Sequence, residues 1–105
     1  MIAVKVSYTV DGTYAQKNQE NIQIFMEDFK KLSGNDFRYN VYLLNDGKTF
    51  VHLSHFKNSE IQNKVLNVPS FKEFQRQRDE SGLNNTHKLE EWSLVAATTD
   101  ILNEP

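Results

Sequence analysis

The stretch FRYNVYLLNDGKTFVHLSHF, residues 37–56, decides the fold. Two strand-like runs, 37–44 and 49–56, flank Asn45-Asp46-Gly47-Lys48. Asp-Gly is a favoured centre for a two-residue hairpin turn, because both central positions need positive φ. With Asn45 opposite Lys48, Leu43 faces Phe50, Val41 faces His52, Tyr39 faces Ser54 and Phe37 faces Phe56, all on one side of the sheet. The other side carries Leu44 with Thr49, Tyr42 with Val51, Asn40 with Leu53 and Arg38 with His55. An open sheet with helices on one side ordinarily shows a polar outer face. This second face holds Tyr42, Leu44, Val51 and Leu53, so it calls for cover.

Upstream, residues 2–10 alternate, with Ile2, Val4, Val6, Tyr8 and Val10 on one side of a strand. Asp11-Gly12 ends it, and Thr13 with Gln16 has the spacing of a capping box that would open a helix. Ile22, Phe25, Met26, Phe29 and Leu32 form the apolar stripe of that helix, and Gly34 is the expected stop. Downstream, Asn58 or Ser59 caps a second helical region with Ile61, Val65 and Leu66 on its apolar side. Pro69 interrupts it, and Ser70 with Glu73 reads as a second capping box. Phe71 and Phe74 anchor a further helical segment ending near Gly82. After a loop over 83–88, a last strand is expected over about 89–97, with Trp92, Leu94 and Ala96 on one side.

The order is β-α-β-β-α-β. It predicts an α+β, ferredoxin-like domain in which helices cover one face of a four-stranded antiparallel sheet and the first and third strands are central. The domain spans 1–97, with a tail over 98–105 whose Ile101 and Leu102 are candidates to clip onto a partner. The apolar second face predicts a homodimer in which two sheets cover each other. Arg38, Tyr42, Val51, Leu53 and His55 would meet at that interface.

The 105 residues suit one domain with a thin core. Hydrophobic residues at 38% and charged residues at 25% are globular values, and a net charge of −2 argues against phosphate-backbone binding. The absence of cysteine excludes disulfides, thiolate catalysis and cysteine-ligated metals. No run of roughly 18 apolar residues occurs, and the N-terminus has no signal-peptide pattern. A cytoplasmic protein without membrane or nucleic-acid partners is expected.

Lys48-Thr49-Phe50-Val51-His52-Leu53-Ser54-His55-Phe56, followed by Val68-Pro69-Ser70-Phe71-Lys72-Glu73-Phe74, resembles the dimeric α/β-barrel superfamily, in particular the antibiotic-biosynthesis-monooxygenase domain. The resemblance covers roughly residues 2–97 and is more specific for fold than for activity. It implies a dimeric α/β barrel with a pocket between sheet and helices. The superfamily includes cofactor-free quinone-forming monooxygenases, haem-degrading enzymes and members of no known activity. Many of the enzymes carry a histidine before the proline-phenylalanine segment, where this chain has Lys64-Val65-Leu66. Haem-degrading members place an asparagine in the first strand, where this chain offers Ser7. Haem cleavage is therefore not expected, while cofactor-free oxygenation stays open.

His52, mid-strand on the aromatic face, is the candidate catalytic residue. An imidazole titrating near working pH would suit proton abstraction from a phenol. The competing reading is a buried histidine satisfied by the hydroxyl of Tyr8 or Tyr39. Tyr8, Tyr39, Phe25, Phe29, Phe50, Phe71, Phe74 and Trp92 are candidate pocket-lining residues for a small aromatic ligand, although aromatic stripes at such spacing ordinarily fill a core. His55 belongs to the other face, and His87 sits in a polar loop. The histidines do not converge and no metal-ligand spacing appears, so neither a metal nor a cofactor is expected. Lys72, Glu73, Arg76, Arg78, Asp79 and Glu80 read as a solvated helix surface.

The functional reading is a homodimeric small-molecule-binding protein resembling cofactor-independent monooxygenases. The alternative is a non-catalytic dimeric ligand-binding or scaffold protein, which would lack a cavity of roughly 300 Å³ beside His52. RNA recognition shares the strand order, but Lys48-Thr49 lacks the glycine wanted before the stacking aromatic.

Overall fold

A computed structural model describes residues 1–102. The elements are β1 (Ile2–Thr9), α1 (Ala15–Phe29), β2 (Phe37–Leu43), β3 (Thr49–Phe56), α2 (Ser59–Leu66), α3 (Pro69–Ser81) and β4 (Lys88–Trp92). The four strands lie in the order β2-β3-β1-β4, every neighbouring pair antiparallel. The first and third strands are central, as the ferredoxin-like reading requires.

The hairpin register is the one read from the sequence. Phe37 pairs with Phe56, Tyr39 with Ser54, Val41 with His52 and Leu43 with Phe50. The turn itself differs. Only Gly47 has positive φ, at 75°, and the last pair is Leu44 with Thr49, whose carbonyl accepts from the Leu44 N–H at 2.9 Å. The loop is thus Asn45–Lys48. Asp46 closes it by accepting from the Lys48 and Thr49 amides and the Thr49 hydroxyl. A two-residue and a four-residue loop centred on the same dipeptide give the same register, so the pairing survives the change of turn.

The inner face carries Tyr8, Phe37, Phe50 and Phe56. They pack against Ile22, Phe25 and Phe29 of α1, Val65 of α2, and Phe71 and Phe74 of α3. All three helices therefore cover one face. Phe25 is fully buried, with ring centroids 4.9 Å from Phe74 and 5.0 Å from both Phe29 and Phe71. Such edge-on aromatic packing is worth about 0.5–1.5 kcal/mol per pair beyond the area buried.

Several local expectations change. Thr13 does not cap α1. Its amide and hydroxyl both donate to Asp11 Oδ1, and the helix starts at Ala15. The short Asx turn at Asp11 outcompetes a capping box. α1 ends at Phe29, well before Gly34, and its buried stripe is Ala15, Asn18, Asn21, Ile22, Phe25 and Phe29. Met26 and Leu32 lie at the edge of the core. Ser70 is no cap either: Pro69 occupies the first turn of α3, and the Ser70 hydroxyl instead donates to Asp28 Oδ2 of α1 at 2.6 Å. Asn58 does cap α2, accepting from the Ile61 amide at 2.9 Å. Gly82, with φ of 88°, ends α3. β4 stops at Trp92 and does not continue to residue 97.

The outer face is Ala3, Lys5, Ser7 and Thr9 of β1 with their partners on β3, and Arg38, Asn40 and Tyr42 of β2. Val51, Leu53 and His55 are half-buried, and Tyr42 is exposed. In the tail, Leu102 is buried within its own chain and Ile101 half-buried, so they are not the two free apolar side chains expected. The rest of the tail, 103–105, lies outside the described residues. Among the described residues, no helix is long and apolar enough to cross a membrane.

The capping geometry makes a prediction. Asn58→Ala should lower the stability measured by urea denaturation by about 1 kcal/mol, the usual cost of an N-cap. Thr13→Ala, which leaves the Thr13 amide bond to Asp11 intact, should cost less than about 0.5 kcal/mol. Equal losses in the two variants would contradict the assignment.

Candidate functional site

A cavity of about 380 Å³ lies between the sheet and helices α2 and α3. Its floor is Val4 and Val6 of β1, Tyr39 of β2, His52, Ser54 and Phe56 of β3, and Leu89 of β4. Its roof is Gln62 and Leu66 of α2 with Phe71, Gln75, Arg78 and Asp79 of α3, and His87 completes the lining. A larger furrow of about 520 Å³ runs between the tail and Met1, but among the described residues Asp100 is the only charged side chain on it. The chemistry converges on the first cavity.

His52 is 2% exposed and both its ring nitrogens are engaged. Tyr8 Oη lies 2.7 Å from Nε2, and Tyr39 Oη lies 2.7 Å from Nδ1. Asn18 Nδ2 donates to Tyr8 Oη at 3.0 Å. The four side chains form one buried polar line, Asn18–Tyr8–His52–Tyr39, drawn from α1, β1, β3 and β2. The parity of the strands makes it: Val6 pairs with His52, and His52 with Val41, so Tyr8 and Tyr39 flank the histidine diagonally on the inner face.

Burial pushes the His52 pKa from 6.5 down to about 3, with the Arg78 and His87 charges acting in the same direction. The imidazole is neutral at working pH, which overturns the expectation of a base titrating near neutrality. Burial likewise raises Tyr8 and Tyr39 well above the ordinary tyrosine value, so both keep their protons.

Arg78 is the residue that sequence patterning misassigned. It is 6% exposed, with its guanidinium 5.0 Å from the Tyr8 ring and 5.4 Å from the Phe74 ring. Its Nε and Nη2 both reach Asp79 Oδ1 at 3.0 Å, and Asp79 is itself largely exposed. The neighbouring Arg76 does lie on the solvated face, paired with Glu73 and Glu80. Three-residue spacing from Phe71 through Phe74 would have placed a residue near 78 on the inner stripe. The surrounding charges obscured that signal.

The solved structures settle what fold this arrangement sits on. An antibiotic biosynthesis monooxygenase superposes with a TM-score of 0.77 at 8% identity, over 91% of this chain and 100% of that one. A protein of Mycobacterium tuberculosis, Rv0793, gives 0.75 at 12% identity, over 93% and 98%. The cofactor-independent oxygenase SnoaB of Streptomyces nogalater, solved as a point variant, gives 0.71 at 13% identity, over 94% and 97%. This chain has the fold of the antibiotic-biosynthesis-monooxygenase-like proteins. No family model and no curated protein matches its sequence.

Within this monooxygenase-like fold, the candidate residues divide into three groups. Tyr39, Phe71 and His52 line the cavity. Tyr8, Phe25, Phe29, Phe50 and Phe74 are buried behind it in the aromatic core and do not reach it. Trp92 is misplaced by the sequence reading. It pairs with Ala3 on the outer face, is 47% exposed, and has Lys5 Nζ 5.5 Å from its ring. Leu89 of the same strand faces the cavity instead. Arg38, Tyr42, Val51, Leu53 and His55 all lie on the outer face. Arg38 is held by the carbonyls of Phe37 and Gly34, and His55 Nδ1 is buried without a partner among the described residues. Among the described residues, no cluster of three or more acidic or histidine side chains could hold a metal.

Because the folded state binds the His52 proton less tightly than the unfolded chain, acidification through the window from 6.5 toward about 3 removes stability. The slope for one such group is at most about 1.4 kcal/mol per pH unit. In NMR titration the His52 ring resonances should stay those of neutral imidazole from about pH 8 to about pH 5. A protonation midpoint inside that range would show that burial does not control this side chain.

Proposed function

We propose that the protein is a homodimer that binds a small aromatic ligand in the cavity beside His52, with a reactivity of the cofactor-independent monooxygenase kind. The observation that carries this is the cavity of about 380 Å³, in which buried Arg78, Tyr39 and the neutral His52 imidazole meet six apolar side chains and a polar rim that includes Gln62, Gln75 and Asp79. Its size suits a small planar molecule, and a few convergent polar groups among apolar walls are the usual form of a ligand site. The fold shared with SnoaB, a cofactor-independent oxygenase, is consistent with this reading.

Arg78 has the central electrostatic role in it. A cation held in a poorly solvated cavity stabilises a ligand oxygen as its anion far better than the same cation in water. An aromatic oxyanion is electron-rich enough to react with dioxygen without a cofactor. His52 does not remove the proton, since both nitrogens are engaged and its basicity is suppressed. It holds Tyr39 at the cavity wall.

The same engagement of His52 favours a second reading, in which the cavity binds its ligand without turning it over. The dimer belongs to both readings. It rests on the outer face, where Tyr42 is 55% exposed beside half-buried Val51 and Leu53. Covering such a face removes apolar area at about 25 cal/mol per Å².

With 1-naphthol as the probe, wild-type protein should show saturable NMR shifts at Phe71 and Leu89. Arg78→Met should weaken binding by about tenfold, the loss of one charge-assisted hydrogen bond. Oxygen uptake that depends on protein and falls in Arg78→Met supports the oxygenase reading. Saturable binding without uptake selects the non-catalytic one, and absence of binding sinks both. Light scattering at micromolar concentration should give a dimer mass, and Leu53→Glu should give a monomer. A wild-type monomer would refute the dimer.

A further inference from the structure

The line Asn18–Tyr8–His52–Tyr39 has a direction, and the direction follows from counting protons. Tyr8 is 1% exposed and does not reach the cavity. Its hydroxyl oxygen has two polar neighbours, Asn18 Nδ2 at 3.0 Å and His52 Nε2 at 2.7 Å. Asn18 Nδ2 is a donor, so the only acceptor for the Tyr8 proton is His52 Nε2. A neutral imidazole carries one proton, which must then sit on Nδ1. Nδ1–H donates to Tyr39 Oη at 2.7 Å. The Tyr39 proton is consequently left over, and Tyr39 lines the cavity.

The orientation of Asn18 fixes the starting point. Asn18 is fully buried, and among the described residues its Oδ1 has no hydrogen-bond partner. Turning the amide over would pair Oδ1 with Tyr8 but move the whole amino group, with two N–H donors, to the place where Oδ1 finds no hydrogen-bond partner. Buried unpaired donors are rarer than under-used carbonyl oxygens, so the observed orientation is the cheaper one. α1 thereby sets the polarity of a site on the far side of Tyr8.

We infer that this line holds His52 as its Nδ1–H tautomer and aims the Tyr39 hydroxyl proton into the cavity, so that the site selects ligands presenting an acceptor oxygen, an anionic one above all. The ligand preference rests on the cavity being a binding site, as proposed above; the tautomer does not. Arg78 supports the same preference. Its two bonds to Asp79 use Nε and Nη2, and among the described residues Nη1 donates to no protein group. Tyr39 Oη and Arg78 are therefore donors on the lining, Gln62 and Gln75 bring donor and acceptor capacity alike, and the Asp79 carboxylate on the same lining is engaged by Arg78. Tyr8, His52 and Asn18 are positioning residues that act through Tyr39.

Long-range ¹H–¹⁵N correlation on the ligand-free full chain decides the polarity. At neutral pH, His52 should show a protonated Nδ1 and an unprotonated Nε2, the reverse of the tautomer favoured by free histidine in water. A protonated Nε2 overturns the line. Tyr8→Phe, and independently Asn18→Leu if the first variant does not fold, should abolish the single-tautomer signature. Retention of it in a folded variant counts against control by α1 and β1.

Benzoate and benzylamine test the ligand preference as shape-matched probes of opposite demand. Benzoate should bind and benzylamine should not. Tyr39→Phe should weaken benzoate about tenfold, as expected for one hydrogen bond to a charged group. Tyr8→Phe should weaken it several-fold although Tyr8 does not touch the cavity. Benzylamine binding as tightly as benzoate overturns the acceptor preference. Failure of both probes overturns the preference, while 1-naphthol decides the ligand site proposed above and the tautomer measurement decides the line.

Discussion

The pairing of β2 with β3 about Asp46-Gly47 sets the parity of the sheet, and nearly everything else hangs on that parity. Side chains alternate with period two, so a slip of one residue would send Tyr39, His52 and Phe56 to the outer face and bring Arg38, His55 and Leu53 inward. The core could not survive the exchange. A sheet that presents Phe37, Phe50 and Phe56 to the helices has aromatic partners waiting in Phe25, Phe29, Phe71 and Phe74. Asp46 holds the register locally with three hydrogen bonds inside the loop. β1 then copies the parity across the sheet, because Val6 pairs with His52 and Tyr8 with Phe50.

A polar line inside an aromatic core is costly unless it is closed. His52 lies near Phe25 and Phe74, with centroid distances of 6.4 and 5.5 Å, and is almost fully buried at the cavity wall. Each unmade bond there would cost about 1–3 kcal/mol. The line is closed at His52 by two tyrosines and imperfectly closed at Asn18, whose Oδ1 has no partner among the described residues. Apolar residues of similar volume would fill the same space at less risk; in the reading proposed above, the four polar side chains act through what they deliver at the cavity end.

Legibility in the sequence followed the strength of each local signal. Strand alternation and the Asp46-Gly47 turn were strong enough to give the register pair by pair, even though the turn type was wrong. Pro69 and Gly82 marked the limits of α3 correctly. The Ser/Thr caps failed because hydroxyls have competing partners. Asp11 claimed Thr13 and Asp28 claimed Ser70, and both contacts need three-dimensional or turn geometry that spacing does not show. Asn18 and Arg78 were invisible to an apolar-stripe search for the same reason they matter: they are polar residues on buried faces. Trp92 went to the wrong side because β4 was read in isolation. Its parity is set by Ala3 across the sheet, and not by its own apolar neighbours.

The depressed basicity of His52 has a consequence for the cavity as an electrical environment. Most histidine-bearing pockets change charge across the physiological range and change their ligand preference with it. Here the imidazole stays uncharged down to about pH 3, and burial holds the Tyr8 and Tyr39 protons in place well above neutrality. The hydrogen-bond line around His52 therefore gains and loses no protons between mildly acidic and mildly alkaline pH. Ligands meet the same field at that wall in mildly acidic and mildly alkaline surroundings, so any pH dependence of binding must be contributed by the ligand or by groups elsewhere.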